Sequence, residues 1–246
     1  MSKTVFITGA NKSIGFETAK QLLKEGYHVY LGCRDLKNGQ EAVDKLKAEG
    51  FNEVEAIQID VADQKSVENA RTVIGQKTEI LDALINNAGI NGGMPQAALE
   101  ATTEQFRNVY ETNLFGVVNV TQAFFDLLEK AENPRIVMVS SLGASMTLHN
   151  DPSWKYYAHK AALYPSSKAA LNMYTIALAY ELRDTAFKVN AIDPGFTKTD
   201  FNGHRGTGSV EDAGKRIAKY ALTGENMPTG KFISEEQNPI SGEIPW

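Results

Sequence analysis

The strongest constraint on this chain is an alternation: short β-branched runs and amphipathic stretches of helical length follow one another almost from end to end. That is the pattern of βαβ units wound into a parallel sheet. Strands are expected at Thr4–Thr8, His28–Cys33, Val54–Ile59, Leu81–Asn86, Arg135–Ser140, Lys188–Ile192 and Lys231–Ser234. Helices are expected at Ile14–Glu25, Asn38–Ala48, Ser66–Gly75, Thr103–Glu129, Ser166–Leu182 and Val210–Leu222. Right-handed crossovers then place helices on both faces of a doubly wound, Rossmann-type α/β sheet of about seven strands. No linker, low-complexity tract or repeat period interrupts the series, so residues 1–246 read as a single domain. Two segments break the pattern, Gly143–Leu163 and Phe196–Gly208. Long irregular connections of this kind serve as binding loops or lids.

Composition narrows the function classes. The net charge of −5 comes without a basic cluster dense enough to track a phosphate backbone, which argues against nucleic acid as a partner. Apolar runs such as Ile136 to Val139 are strand-sized, so no membrane span is expected. Cys33 is the only cysteine, and His28, His149, His159 and His204 show no ligand spacing, so neither a disulfide nor a metal site is expected. Met1-Ser2-Lys3-Thr4 leads straight into a strand pattern, and the expected location is the cytoplasm.

The first strand ends in Thr8-Gly9-Ala10-Asn11-Lys12-Ser13-Ile14-Gly15 and opens a helix. A Gly-rich turn there presents free backbone N–H groups and a positive dipole end to a pyrophosphate, although any tight βα turn also needs glycine. Further along come Asn86-Asn87-Ala88-Gly89, Asn113 within Glu111-Thr112-Asn113-Leu114-Phe115-Gly116, Ser140-Ser141, Tyr164 with Lys168, and Pro194-Gly195.

Reducing a ketone requires a hydride at carbon and a proton at the developing alkoxide. A nicotinamide supplies the first and a tyrosine can supply the second. Lys168, one turn beyond Tyr164 on the same helix face, is expected to lower the phenol pKa. Ser141 can hydrogen-bond the substrate oxygen where charge forms.

Taken together and in this order, the motifs resemble the short-chain dehydrogenase/reductase family over nearly the whole chain. Asn11-Lys12, Cys33-Arg34-Asp35 and Pro228-Thr229-Gly230-Lys231-Phe232 near Trp246 look closest to its carbonyl-reductase branch. The resemblance implies catalytic roles for Asn113, Ser141, Tyr164 and Lys168, with Asn113 holding a water that links Lys168 to a proton relay. It also implies cofactor contacts from Gly9, Asn11, Lys12, Ser13, Ile14, Gly15, Arg34, Asp60, Val61, Asn87, Ala88, Gly89, Tyr164, Lys168, Pro194, Gly195 and Thr197. Ser13 departs from the family, which has glycine at that place in the turn.

A second Tyr-x-x-x-Lys occurs at Tyr156 and Lys160, closer to the family's usual distance from the serine. Tyr164 is preferred, because its helix is continuous and its distance to Pro194 is the family's, whereas a loop before it lengthens cheaply.

The residue ending the second strand separates NAD from NADP, since an acid there accepts the ribose 2′-OH and repels a 2′-phosphate. Here that residue is Cys33, followed by Arg34, with Lys12 in the first turn, so NADPH/NADP+ is expected. Asp35 reads as a helix N-cap rather than a ribose ligand. Asp60 reads either as an adenine contact or as a cap of the next helix.

The sequence thus reads as an NADPH-dependent carbonyl reductase acting on a hydrophobic ketone or aldehyde, with Ser141, Trp154, Tyr157 and Phe196 lining the substrate pocket. The rival readings are a catalytically idle NADP(H)-binding regulatory protein and an enzyme that uses the cofactor in an internal redox cycle. The resemblance further implies a homo-oligomer through Thr103–Glu129 and Ser166–Leu182, while the insertion before Tyr164 resembles the family's monomeric branch.

Overall fold

A computed structural model describes residues 2–222 and 227–246. Seven parallel strands form one sheet in the order β3-β2-β1-β4-β5-β6-β7. The strands are β1 Thr4–Ile7, β2 His28–Cys33, β3 Val54–Gln58, β4 Ala83–Asn86, β5 Arg135–Val139, β6 Lys188–Ile192 and β7 Lys231–Ile233. The chain winds outward from β1 in both directions, so the β1/β4 junction is the topological switch point where such sheets open a crevice beyond their strand ends.

The helices are α1 Ser13–Lys24, α2 Leu36–Ala48, α3 Gln64–Gly75, α4 Thr103–Tyr110, α5 Gly116–Leu128, α6 Met146–Asn150, α7 Leu163–Glu181 and α8 Val210–Ala221. Strand side chains alternate between two cores, as the pleat requires. Val5 and Ile7 join Leu22, Val43, Leu46 and Ile217 on one face. Phe6 joins Ile74, Val120, Phe124 and Leu171 on the other. A smaller cluster packs Phe232 and Ile244 against Ala144, with Leu148 and Trp246 at its edge, and fastens the end of the chain to the loop after β5.

Two expectations needed revision. Thr103–Glu129 is not one α-helix: a π-helical turn, Glu111–Phe115, separates α4 from α5. The cap of α3 is Asp63, whose side chain accepts from Lys65 and Ser66. Asp60 instead accepts from the Ala62 amide at 3.1 Å, closing a local turn. Asp35 does cap α2, accepting from the Asn38 amide at 3.0 Å.

Candidate active site

The C-terminal ends of β1, β2, β4, β5 and β6 frame a cleft of about 830 Å³ that runs from the glycine turn to the start of α7. At one end lies the turn. Gly9 sits at φ +64°, and a Cβ there would lie 3.0 Å from Ala88 Cα, so only glycine allows this approach. A Cβ on Gly15 would lie 2.5 Å from the Gly9 carbonyl. Asn87 holds the turn from the side: its Nδ2 donates to the Thr8 and Gly9 carbonyls, both at 2.9 Å. Thr8 Oγ1 accepts from the Asn87 and Ala88 amides. The Asn87-Ala88 pair is therefore a brace for the turn.

Lys12 is the N-cap of α1 and makes no side-chain cap, which leaves the first-turn amides directed at the cleft. Ser13 adopts the left-handed conformation, φ 55°, which glycine fills without cost and serine at roughly 1–2 kcal/mol.

Arg34 lies on the cleft wall, and no carboxylate pairs with its side chain among the described residues. Cys33 is buried beside it, and burial pushes its thiol up to about 11, so it is an inert apolar filler. Asp60, Val61, Gly89, Pro194, Gly195 and Thr197 line the same wall. These observations fit a dinucleotide with a 2′-phosphate: a glycine cradle, uncapped helix amides, an unpaired guanidinium, and no acid at the end of β2.

At the other end the structure brings Asn113, Ser141, Tyr164 and Lys168 together. Asn113 is fully buried in the π turn, with Oδ1 accepting from the Ile90 amide at 2.9 Å. Its Nδ2 donates to the Ile90 carbonyl at 2.9 Å and to Ser167 Oγ at 3.0 Å. A Cβ on Gly89, in the loop after β4, would lie 3.3 Å from Asn113 Oδ1 and 3.6 Å from Lys168 Nζ, so the backbone of this loop passes close to both side chains. Lys168 Nζ donates to the Val139 carbonyl at 2.7 Å and lies 6.0 Å from the Tyr164 ring centre.

The electrostatics differ from the expectation that Lys168 lowers the phenol pKa. Burial pushes Tyr164 well above its ordinary value, the negative charge of Asp193 adds to that, and a hydrogen bond with Ser141 opposes both. Lys168 is itself drawn down to about 8 by burial, with its ammonium engaged by a main-chain carbonyl rather than by the phenol.

Several pocket expectations fail geometrically. Trp154 and Tyr157 are not among the residues lining the cleft. Trp154 stacks edge-on against His149 and Tyr156 and points Nε1 at Gln237, while Tyr157 lies under Lys160. The segment packs its aromatic rings on each other because it folds into α6 and turns of its own. Tyr156 and Lys160, on the same loop, do not line the cleft either. Phe196 does line the cleft, together with Met94, Ala161 and Phe201. The Phe201 ring meets Tyr164 edge-on at 5.2 Å.

Sequence reasoning passed over Gln96, whose Oε1 accepts from the Tyr164 amide at 3.1 Å while its carbonyl accepts from Ala162 at 2.7 Å. It caps α7 from outside, where the N-cap Ala162 supplies no side-chain acceptor. Nothing in its sequence neighbourhood signals this. Asp193 was also missed, although an acid directly before Pro194-Gly195 at a strand end was a readable signal.

Residues 3–209 match the family model described as short chain dehydrogenase. The short-chain dehydrogenase anuI of Penicillium roqueforti is 34% identical over 98% of this chain and 97% of its own length. The (+)-neomenthol dehydrogenase of Arabidopsis thaliana is 33% identical over 94% of this chain and 95% of its own length. Among solved structures, the NADPH-bound carbonyl reductase from chicken fatty liver superposes with a TM-score of 0.83 at 28% identity, covering 100% of this chain and 99% of that one. Fold, cleft and relatives agree, and the chain belongs to the short-chain dehydrogenase/reductase family of oxidoreductases.

Proposed function

We propose that this protein is an NADPH-dependent carbonyl reductase that converts a hydrophobic ketone or aldehyde to its alcohol. The observation that carries the reading is the meeting of Tyr164, Ser141 and Lys168 at one end of the cleft whose other end is the glycine turn. NADPH-bound relatives support the choice of cofactor, and so does the unpaired Arg34 beside Cys33. Arg34 and Lys12 are the residues to hold the 2′-phosphate, and the first-turn amides of α1 the pyrophosphate.

The bound nicotinamide supplies the hydride. Ser141 donates a hydrogen bond to the carbonyl oxygen and so stabilises the charge that gathers there. Tyr164 gives its proton to that oxygen as the carbon is reduced. Lys168, fixed by Val139, compensates the phenolate that results, and Asn113 holds the loop ending β4 against α7. Phe201 and Phe196 cover the reacting centre from the loop after β6, and Met94 and Ala161 complete an apolar wall. Arg205, with Nε on the Asn202 carbonyl at 2.9 Å, is the one arginine of that loop.

The test is NADPH oxidation measured against aldehydes, ketones, keto esters and steroids. Net consumption with a hydrophobic ketone or aldehyde is expected. No consumption with any member would favour an idle NADP(H)-binding protein, and product formation without net NADPH loss an internal redox cycle.

A further inference from the structure

Asp193 follows β6, and its side chain is 4% exposed. Oδ1 accepts the Leu142 amide at 3.0 Å and Oδ2 accepts the Ser234 hydroxyl at 2.7 Å. These donors lie just beyond the ends of β5 and β7 while Asp193 itself follows β6, so one carboxylate ties three strand ends together. Leu142 is the residue after Ser141, and Asp193, Ser141 and Tyr164 all line the cleft. Among the described residues no cation forms an ion pair with Asp193. A buried carboxylate held only by neutral donors keeps most of its field, because nothing nearby cancels it.

We propose that Asp193 is a positioning residue for the proton-donating pair: it seats Ser141 by gripping the next amide, and it sets the field in which Tyr164 holds its proton. The inference rests on the reading of Tyr164 as the acid of a reductase. Reduction uses the phenol and its reverse uses the phenolate. A fixed negative charge in the same cleft opposes the phenolate and so keeps the donor form filled to higher pH.

Other charged groups act at this end of the cleft as well. Lys168, on the helix of Tyr164, is the opposing charge, held by Val139 with Nζ 6.0 Å from the ring centre, and Glu236, beyond β7, accepts the Phe196 amide at 2.8 Å. Arg216 of α8 donates to the Pro194 carbonyl at 2.9 Å. Asp200 and Arg205 on the covering loop are exposed, and the facing loop brings the uncharged Asn91 and Gln96. His149 of α6, near Gly143, is held toward its neutral form by burial. Burial also pushes the Asp193 carboxyl above the usual carboxylate range, while Ser234, Leu142 and Gly195 pull it back.

Asp193→Asn keeps the shape and an acceptor for Leu142 while removing the charge. The readout is tyrosinate absorbance during an alkaline titration, taken as the difference between each protein and its Tyr164→Phe counterpart. Tyr164 should ionise about one pH unit lower in Asp193→Asn than in the wild type. Ser234→Ala, which removes a brace and keeps the charge, should titrate like the wild type. If Asp193→Asn does not fold, Asp193→Ser should show the same shift. Identical curves for charged and neutral versions, up to the pH at which the fold is lost, overturn the inference, as does a Ser234→Ala shift as large as that of Asp193→Asn. The absorbance measurement needs no turnover, so its failure is distinguishable from a protein that consumes no NADPH.

Discussion

The Lys168 ammonium donates to the Val139 carbonyl at 2.7 Å, so the cation of the site is suspended from the last residue of β5. Burial lowers its pKa from 10.5 to about 8, and the charged form therefore costs the fold roughly 3 kcal/mol. The sign follows from linkage. The unfolded chain holds this proton up to the ordinary lysine range and the folded chain only to about 8. The cost is thus fully present below pH 8 and fades as the pH climbs from there toward 10.5, so this group makes the fold more stable with rising pH across that window. Lys168→Met should melt a few degrees higher than wild type at neutral pH, lose this pH dependence, and lose turnover. A lower melting temperature at neutral pH would show that the Val139 hydrogen bond outweighs the burial of charge.

Tyr164→Phe keeps the ring and its contact with Phe201 but removes the proton. Turnover should fall by roughly a hundredfold or more, the usual share of a general acid, with NADPH binding retained. Tyr156→Phe, at a residue that does not line the cleft, should change turnover little. Kinetics of the two variants with the same carbonyl substrate decide between them, and the reverse ranking would refute the assignment.

Arg34→Ala should weaken NADPH far more than NADH, by about 1.5–3 kcal/mol, the range for a hydrogen bond to a charged group. Cys33→Asp should move preference toward NADH by placing an acid at the end of β2. Fluorescence titration with both cofactors reads this directly. Equal losses for the two would mean that Arg34 serves the fold alone.

Phe196→Ala and Phe201→Ala should lower kcat/KM for an aryl ketone or keto ester more than for a small keto acid, because both rings line the cleft. Trp154→Ala should not change that ranking. Its ring is packed on His149 and Tyr156, so its loss should appear as a drop in melting temperature. Steady-state kinetics on both substrates, with thermal unfolding of the three variants, separates the two effects.

How much of this was legible in the sequence varies with the kind of signal. The run of strands along the chain, the helix faces and the Asp35 cap follow from local periodicity and capping chemistry, and they reach the structure with shifts of one to three residues at element ends. The π turn was hidden because α4 and α5 each keep an apolar stripe of their own, and a one-residue slip between stripes leaves no compositional trace. Trp154 and Tyr157 were misplaced for a different reason. Aromatic residues in an irregular segment are equally suited to lining a cleft and to packing on one another, and only the path of the chain through α6 chooses. Gln96 acts across a gap of many residues on the amide of Tyr164, which no local pattern encodes.

The π turn at Glu111–Phe115 also changes what kind of mutation the site can survive. Such a turn amounts to one surplus residue in an otherwise continuous helix. Striking out any one of the four residues other than Asn113 would let α4 run directly into α5 with better hydrogen bonding, while rotating Asn113 by about 100° relative to one of its partners, Ile90 or Ser167. The asparagine would survive in the text of the gene and vanish from the site. This stretch is therefore governed by residue count as much as by residue identity: several substitutions in it are survivable, and a single deletion would leave a sounder helix and an idle enzyme.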